Sequence, residues 1–494
     1  MAAFGVHLGS TSACLAVFKD GKTDVVANDL GDRVTPCVVA FTDHDKAVGA
    51  AAKQGVIRNA QNTVKHVKQV LGRKWEDQAV KQYIESNAVK MQQNSDGDPV
   101  FNVEFQGETT LVAPQQIAEA VYEKMLETAR SHGDGDIHDS VFAVPTDFNS
   151  EQRSAISDSA TAAGFNVLRL ISEPVSAVLA YDIGQENNNI NSNVLVFRLG
   201  GESSEVSIVK VQNGLYRVLG SEVSTELAGS KFTDVLANYL ASEFYRQYKL
   251  DVKESRRSFT KLRMATETCK HTLSTLGSAH CSVDSLHEGV DFHSNVSRAR
   301  FENLCSNLIQ QCESLIDSAC TKSNIDKEQI DKVILCGGGA KIPLVQKKIT
   351  DYLKNAEILN SITPDEVVAI GAAKQAAILT GNDENDIQQN ATFNGESNMS
   401  LFPIFESFTP LPSRKHETVT LNKNQTSMEM NLCECEDIRD PKTVSDLAKI
   451  VMKDLPNEAK VSVTFHLRRE GSLHVTCREE TSDKTESVII EVCR

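Results

Sequence analysis

A chain of 494 residues with a formal charge of −16, 40% hydrophobic and 24% charged, has the composition of a folded protein with a sizeable core, in about two to four domains. The acidic balance excludes a broad basic face for bare RNA or DNA, so contact with a nucleic-acid machine would run through a protein partner. The start MAAFGVHLGS is neither basic nor strongly apolar, and no apolar run of about 18 residues follows, so neither a signal peptide nor a membrane span is expected and the expected location is the cytosol.

The stretch GVHLGSTSACLAVF (5–18) predicts a strand, a Gly-Ser-Thr turn and a second strand. Glycine allows close backbone approach and clustered N–H groups form an anion nest, so Gly9, Ser10 and Thr11 are candidate phosphate contacts. Just before the turn stands His7, where phosphate chemistry favours a carboxylate. Next, VVANDLGDRVTPCVVAF (25–41) carries β-branched runs around a Gly-Asp turn, and PQQIAEAVYEKMLETARS (114–131) has the apolar period of an amphipathic helix. DSVFAVPTDF (139–148) predicts a buried strand ended by Pro145; SEQRSAISDSATAAGF (150–165) predicts a helix capped by Ser150 and ending near Gly164.

The grammar of the first hairpin returns in NVLVFRLGGESSEVSIVKV (193–211), with Gly200, Gly201 and Ser203 as a second set of candidate phosphate contacts. A third glycine turn joins a strand to a helix in IDKVILCGGGAKIPLVQKKI (330–349). Either hairpin turn alone reads more readily as an ordinary β-hairpin; three glycine turns in this order favour the phosphate reading. Alternating strands and helices predict an α/β architecture, and two like halves around a cleft would set the first two hairpins face to face.

The character changes at GNDENDIQQNATFNGESN (381–398), which reads as a polar linker; after it, KHETVTL (415–421), SMEMNLCEC (427–435), KVSVTFHLRREGSLHVTCREE (460–480) and ESVIIEVCR (486–494) alternate with period two, as strands of a small β domain. Between them TVSDLAKIVMKDL (443–455) is compatible with one short helix. The twelve cysteines include no C-x-x-C, and the close pair Cys433 and Cys435 has no histidines at zinc-finger spacing, so reduced thiols filling the core are expected rather than a metal site.

Together with AAKQGVIRNAQNTVKHVKQVLGR (51–73), GFNVLRLISEPVSAVLAY (164–181), RMATETCKHTLSTLGSAHCSVDSLHEGVDF (263–292), VSRARFENLC (296–305) and SITPDEVVAIGAAKQAAIL (361–379), these stretches resemble the nucleotide-binding domain of the 70-kilodalton heat-shock chaperones, within the actin and sugar-kinase fold. The resemblance implies a two-lobed actin-like ATPase-type domain over 1–381, divided near residue 187, a linker over 382–398, and a truncated β-sandwich-like substrate domain over 399–494. It implies ATP as ligand: Gly9, Ser10, Thr11, Gly200, Gly201 and Ser203 at the phosphates; Glu267, Lys270, His271 and Ser274 along the adenosine; Gly338, Gly339, Lys341 and Asp365 closing the base and ribose side; Lys68 beside the attacking water.

Two departures stand out. The family's Asp-Leu-Gly turns read here His7-Leu8-Gly9 and Arg198-Leu199-Gly200, so both aspartates that hold the hydrated Mg²⁺ are replaced, while Lys68 and Glu173 are retained. Phosphoryl transfer rests on positioning and metal-borne charge, so bound but barely hydrolysed ATP is expected, with Mg²⁺ doubtful. Arg198 is expected either to supply positive charge toward the phosphates or to pair with Glu202 or Glu205. Second, no helical lid is expected after the β segments, and the first sandwich strands are expected to be missing between Ala391 and Phe402. These features are similar to those of the lidless family member that pairs with a zuotin-type J-protein in the ribosome-associated complex. That resemblance implies a J-protein heterodimer, contact with the ribosome through it, assistance to nascent polypeptides, and a J-domain contact at Arg169. A cycling ATPase chaperone that binds and releases peptides itself is the alternative; a filament-forming or metabolite-phosphorylating relative fits the β-rich tail less well.

Overall fold

The computed structural model describes residues 2–131, 139–185, 191–212 and 215–380, and further on 387–390, 404, 413–421, 425–435, 444–453, 455–456, 459–468, 472–479, 481–482 and 484–490. The chain packs as two units: 1–183 with 192–210 and 217–380, and 381–494 with the short segments 184–191 and 211–216.

The first unit holds two related sheets. In the first, β1 (Ala3–Leu8) lies between β2 (Ser12–Lys19) and the parallel β4 (Asp139–Val144); β3 (Lys22–Val25) and β5 (Asn166–Ser172) complete the order β5-β4-β1-β2-β3. Its core gathers Phe4, Val6 and Leu8 with Phe101, Tyr122 and Phe142. Helix α1 (Pro114–Ser131) matches the expected span, and α2 (Ser150–Ala162) forms as expected but with a different cap. The capping residue is Asn149, not Ser150: its side chain accepts from Gln152 N while the Gln152 side chain accepts from Asn149 N, a reciprocal box the Ser150 hydroxyl is one residue too late to make.

The second sheet repeats the plan. Strands β6 (Asn191–Leu199), β7 (Ser204–Gln212), β8 (Leu215–Ser224), β11 (Lys332–Cys336) and β12 (Glu357–Leu359) run in the order β8-β7-β6-β11-β12, while β9 (Ser278–His287) and β10 (Val290–Ser297) form a separate hairpin. Helices α4 (Gly229–Tyr248) and α5 (Arg256–Thr275) pack together, and α6 (Pro343–Tyr352) follows the third glycine turn. The division expected near residue 187 lies outside the described residues.

What sets the short α3 (Glu173–Ala180) in place is α7 (Val367–Thr380), an Ala-rich helix lying on β1 and α3. A Cβ on Gly5 would stand 2.0 Å from Ala373 N, and one on Gly371 would stand 1.7 Å from Ser176 O. Only glycine admits backbone so close, so these two residues bring β1, α7 and α3 into one stack and Glu173 under the first hairpin.

The second unit is β-rich. Strands β13 (Ile387–Asn390), β14 (Ser413–Thr420), β17 (Lys460–Leu467), β18 (Leu473–Glu479) and β19 (Thr485–Ile490) form one sheet in that order; β15 (Met428–Cys435) and β16 (Val444–Met452) form another, and residues of both sheets share one core that includes Leu432, Ile450, Val461, Phe465 and Val475. The short helix expected over 443–455 is corrected to the strand β16. Its Ala448, Ile450 and Met452 alternate inward opposite Leu432, Met430 and Met428, leaving Leu447 at 42% and Val451 at 37% exposure; the helical period that joined Leu447 and Val451 to the apolar face loses to cross-strand pairing. Within the expected linker, Ile387–Asn390 pairs in parallel with β14; the rest of 382–398, and the interval 391–402 where sandwich strands seemed missing, lie outside the described residues. Among the described residues, no helix is long and apolar enough to cross a membrane.

Candidate functional site: a glycine-walled cleft over a buried ion cluster

Each hairpin turn is tied by the same bond: Gly9 N donates to Ser12 O at 3.0 Å, and Gly200 N donates to Ser203 O at 2.9 Å. The two turns meet. A Cβ on Gly201 would lie 2.3 Å from Thr11 Cγ2 and 2.5 Å from its Oγ1, so the second turn passes directly against the first. Between them opens a cleft lined by Gly9, Ser10, Gly200, Gly201, Gly338 and Asp365, with His7 and Arg198 at its base. Three glycine turns from three distant parts of the chain therefore line one cavity.

Below the turns sits a buried ion cluster. Glu173 begins α3, where the helix dipole favours a carboxylate, and is 1% exposed. Its Oε1 accepts from Lys68 Nζ at 2.6 Å and from His7 Nε2 at 3.1 Å. Its Oε2 faces Arg198 Nε at 2.9 Å, a close ion contact in which the N–H is not aligned as a hydrogen bond. Arg198 also reaches Glu205 Oε2 with Nη2 at 3.5 Å and donates to Ser203 Oγ at 3.3 Å. Glu205 is anchored in turn by the hydroxyls of Thr146 at 2.5 Å and Ser207 at 3.0 Å.

Two cations thus stand against two carboxylates. Burial opposes a charge on Glu173, yet Lys68, Arg198 and His7 together hold it well below the ordinary carboxylate range. Burial pushes His7 below its usual value despite Glu173 beside it, so the imidazole is neutral and donates its Nε2–H. Arg198 has its ordinary charge reinforced by Glu173 and Glu205 against the cost of burial.

The expectation that Arg198 turns its charge toward the phosphates is corrected. Its guanidinium is neutralised by two carboxylates, and of the two pairings expected it takes Glu205 and not Glu202. Glu202 reaches instead to His66 Nδ1 at 3.0 Å and accepts from Ser230 Oγ at 3.2 Å. His66 holds a left-handed backbone (φ 56°) just ahead of the turn carrying Lys68, and Lys68 Nζ also lies 5.7 Å from the centre of the Phe148 ring.

The remaining expected contacts separate into groups. Glu267 and His271 line a second pocket on α5 with Lys53, whose Nζ is 3.9 Å from Glu267. Lys270 turns inward instead, donating to Gly229 O at 2.9 Å and Thr233 Oγ1 at 2.8 Å, and Ser274 donates to Lys270 O at 3.3 Å. Lys341 Nζ lies on Asp365 at 2.6 Å. Gly339 packs against Leu199. Arg169 is half-buried on β5, the edge strand of the first sheet. Sequence reasoning missed His66, Thr146 and Lys53: each gains a role only through a partner far away in the chain, and no local spacing signals it.

The cleft fits a polyphosphate in one respect and fails a hydrated divalent cation in another. Its walls are glycine backbone with the Ser10 and Ser12 residues, the chemistry of an anion cradle, while the Thr11 side chain packs against Gly201. Glu173, however, has one oxygen on Lys68 and His7 and the other facing Arg198, so both of its oxygens are set against cations of the chain rather than toward a metal shell.

Comparison with known proteins places these features. The sequence matches the family described as Hsp70 protein over residues 3–493. Proteins named heat shock 70 kDa protein 14 from Bos taurus and Homo sapiens are each 44% identical to it over 509 residues, covering all of both chains, and the one from Danio rerio is 44% identical over 510 residues, covering 99% of each.

Proposed function

The chain belongs to the Hsp70 family, and from that premise we propose that it is a chaperone subunit that binds ATP with impaired hydrolysis and acts as a scaffold. In this reading it pairs with a zuotin-type J-protein in a cytosolic ribosome-associated complex, which brings it to nascent chains. The single observation that carries the impairment is Arg198 seated on Glu173 and Glu205 beneath the two turns.

Phosphoryl transfer needs a positioned nucleophile and charge balanced across the phosphates. Here Lys68 Nζ is bonded to Glu173, so the pair that would orient water is engaged with itself. Glycine backbone and Ser10 remain available for the phosphates, with Glu267 and His271 toward the adenosine. When bound, ATP supplies a polyanion that spans both halves, and a ligand that prefers the closed form stabilises it by mass action without being consumed. Magnesium does not fit the donor set described, and no step runs through it.

The rival reading, a cycling ATPase that binds and releases peptides itself, has in its favour that Lys68 and Glu173 are both present. One experiment separates the two. The purified chain is given radiolabelled ATP under single-turnover conditions, alone and with a zuotin-type J-protein, while nucleotide retention is measured in parallel. Retained, intact ATP and a stable heterodimer that sediments with ribosomes support the scaffold. Rapid J-protein-stimulated release of phosphate would sink it. Arg169→Asp is expected to weaken the heterodimer at least tenfold; unchanged pairing would remove Arg169 from the contact.

A further inference from the structure

We propose that Cys269 and Cys281 form a dithiol–disulfide site, oxidised by hydrogen peroxide, that fastens α5 to β9. The pairing follows from two periods. On α5, Leu262, Thr266, Cys269 and Leu273 recur at helical spacing and are all buried. On β9, Ala279, Cys281 and Val283 alternate inward while His280 and Ser282 face out. Only Leu276 and Gly277 separate the two elements, so the strand folds straight back along the helix and both cysteines enter the same core.

The Cys269 thiol donates to the carbonyl of His280, the residue beside Cys281, at 3.6 Å, and Cys269 and Cys281 both belong to one buried core. The reactivities differ accordingly. The neighbouring Cys281 thiol holds Cys269 below the usual thiol value against the effect of burial, and Cys281 itself is pushed up. Elsewhere in the unit, burial pushes Cys305 and Cys312 up to about 12 and Cys320 up to about 11. Thiolate character decides which cysteine attacks, so Cys269 is the nucleophile and Cys281 the resolving thiol. Cys269 is 3% exposed, so the oxidant that reaches it must be small and uncharged, as peroxide is.

The Cys269 sulfur attacks one peroxide oxygen and the O–O bond breaks. This leaves a sulfenic acid, and the departing hydroxide takes the thiol proton to become water. The Cys281 sulfur then attacks the sulfenic sulfur, an S–S bond forms, and the expelled hydroxide leaves as water with the Cys281 proton. Two thiols lose two hydrogens and two electrons, and one peroxide becomes two waters. The bond ties down the helix that carries Glu267, Lys270 and His271, but its formation does not depend on how nucleotide is used.

The full-length chain is treated with hydrogen peroxide, remaining thiols are alkylated, and peptides are mapped by mass spectrometry before and after dithiothreitol. The expected result is a reducible Cys269–Cys281 cross-link that appears ahead of oxidation at Cys305 or Cys312, with slower hydrogen exchange along α5 in the oxidised chain. In Cys281→Ser the intermediate has no partner, so Cys269 is expected to become labelled by dimedone. Cys269→Ser serves as a second, conservative variant that abolishes the cross-link in a chain whose folding is checked by circular dichroism. Oxidation at other cysteines first, or an unlabelled Cys269 in Cys281→Ser, would overturn the proposal.

Discussion

Arg198 Nε and Glu173 Oε2 lie 2.9 Å apart, joining the end of β6 in one half of the first unit to the start of α3 in the other. A base stands where the resemblance to the family implies an acid, and it occupies the carboxylate that such an acid would have shared with a metal. The cleft above keeps its glycine walls. In the proposed reading, binding and hydrolysis are separated at the level of one guanidinium.

Restoring the acids should restore metal dependence. In the double variant His7→Asp with Arg198→Asp, Glu173 and Glu205 lose their cationic partner and gain two carboxylate neighbours. Like charges crowded in a buried site favour a divalent cation. Magnesium is expected to raise the melting temperature of this variant and not that of the parent chain, and to increase ATP turnover by about tenfold or more. Melting curves with magnesium and with a chelator, alongside single-turnover assays, check both outcomes.

Removing the guanidinium alone should be costly. Arg198→Met leaves Glu173 and Glu205 buried without their shared partner, and breaking such a pair costs about 3–5 kcal/mol. Adding Glu205→Gln should recover part of the loss, because the neutral amide no longer requires a counter-charge while still meeting Thr146 and Ser207. Urea denaturation of the single and double variants gives the coupling; strict additivity would show that the Arg198–Glu205 contact carries no energy.

The meeting of the two turns leaves no room for a methyl group. Gly201→Ala would set a Cβ 2.3 Å from Thr11 Cγ2. Overpacking of this kind costs about 1–3 kcal/mol. Thr11→Ala in the same chain removes the atoms in the way and should recover most of the stability. A Gly201→Ala chain as stable as the parent would mean that the turns do not touch in solution.

Stability should rise with pH through two separate windows. His7 lies below its ordinary 6.5 because it is buried, and Glu173 lies below its ordinary 4.5 because Lys68, Arg198 and His7 outweigh burial. In each case the unfolded chain binds a proton that the folded one refuses, so stability is present above the ordinary value and is lost as pH falls toward the folded one. His7→Gln is expected to flatten the urea midpoint against pH just below 6.5, and Glu173→Gln to flatten it below 4.5. A wild-type midpoint that does not move between pH 7 and 5 would exclude a neutral, buried His7.

Much was legible locally. The apolar period of 114–131 gave the helix to the residue, and both Leu-Gly turns lie in hairpins. Where the reading failed, two local patterns competed. Over 443–455 the apolar residues satisfy a period of two and of 3.6 about equally, and a partner strand decided between them. At the start of α2, Ser150 and Asn149 are both good caps, and the reach of Gln152 selected Asn149.

The amino-acid sequence by itself determined the repeat of two hairpins, the three glycine turns and the exchange of acid for His7 and Arg198, because backbone freedom and side-chain charge are properties of single residues and short runs. Only the tertiary structure decided which carboxylates Arg198 meets, that Glu202 turns to His66, and that Lys270 faces inward to Gly229 and Thr233. A buried charge is fixed by whatever opposite charge the fold carries to it, and those partners lie as little as seven (Arg198 and Glu205) or as many as 105 (Lys68 and Glu173) positions away in the chain.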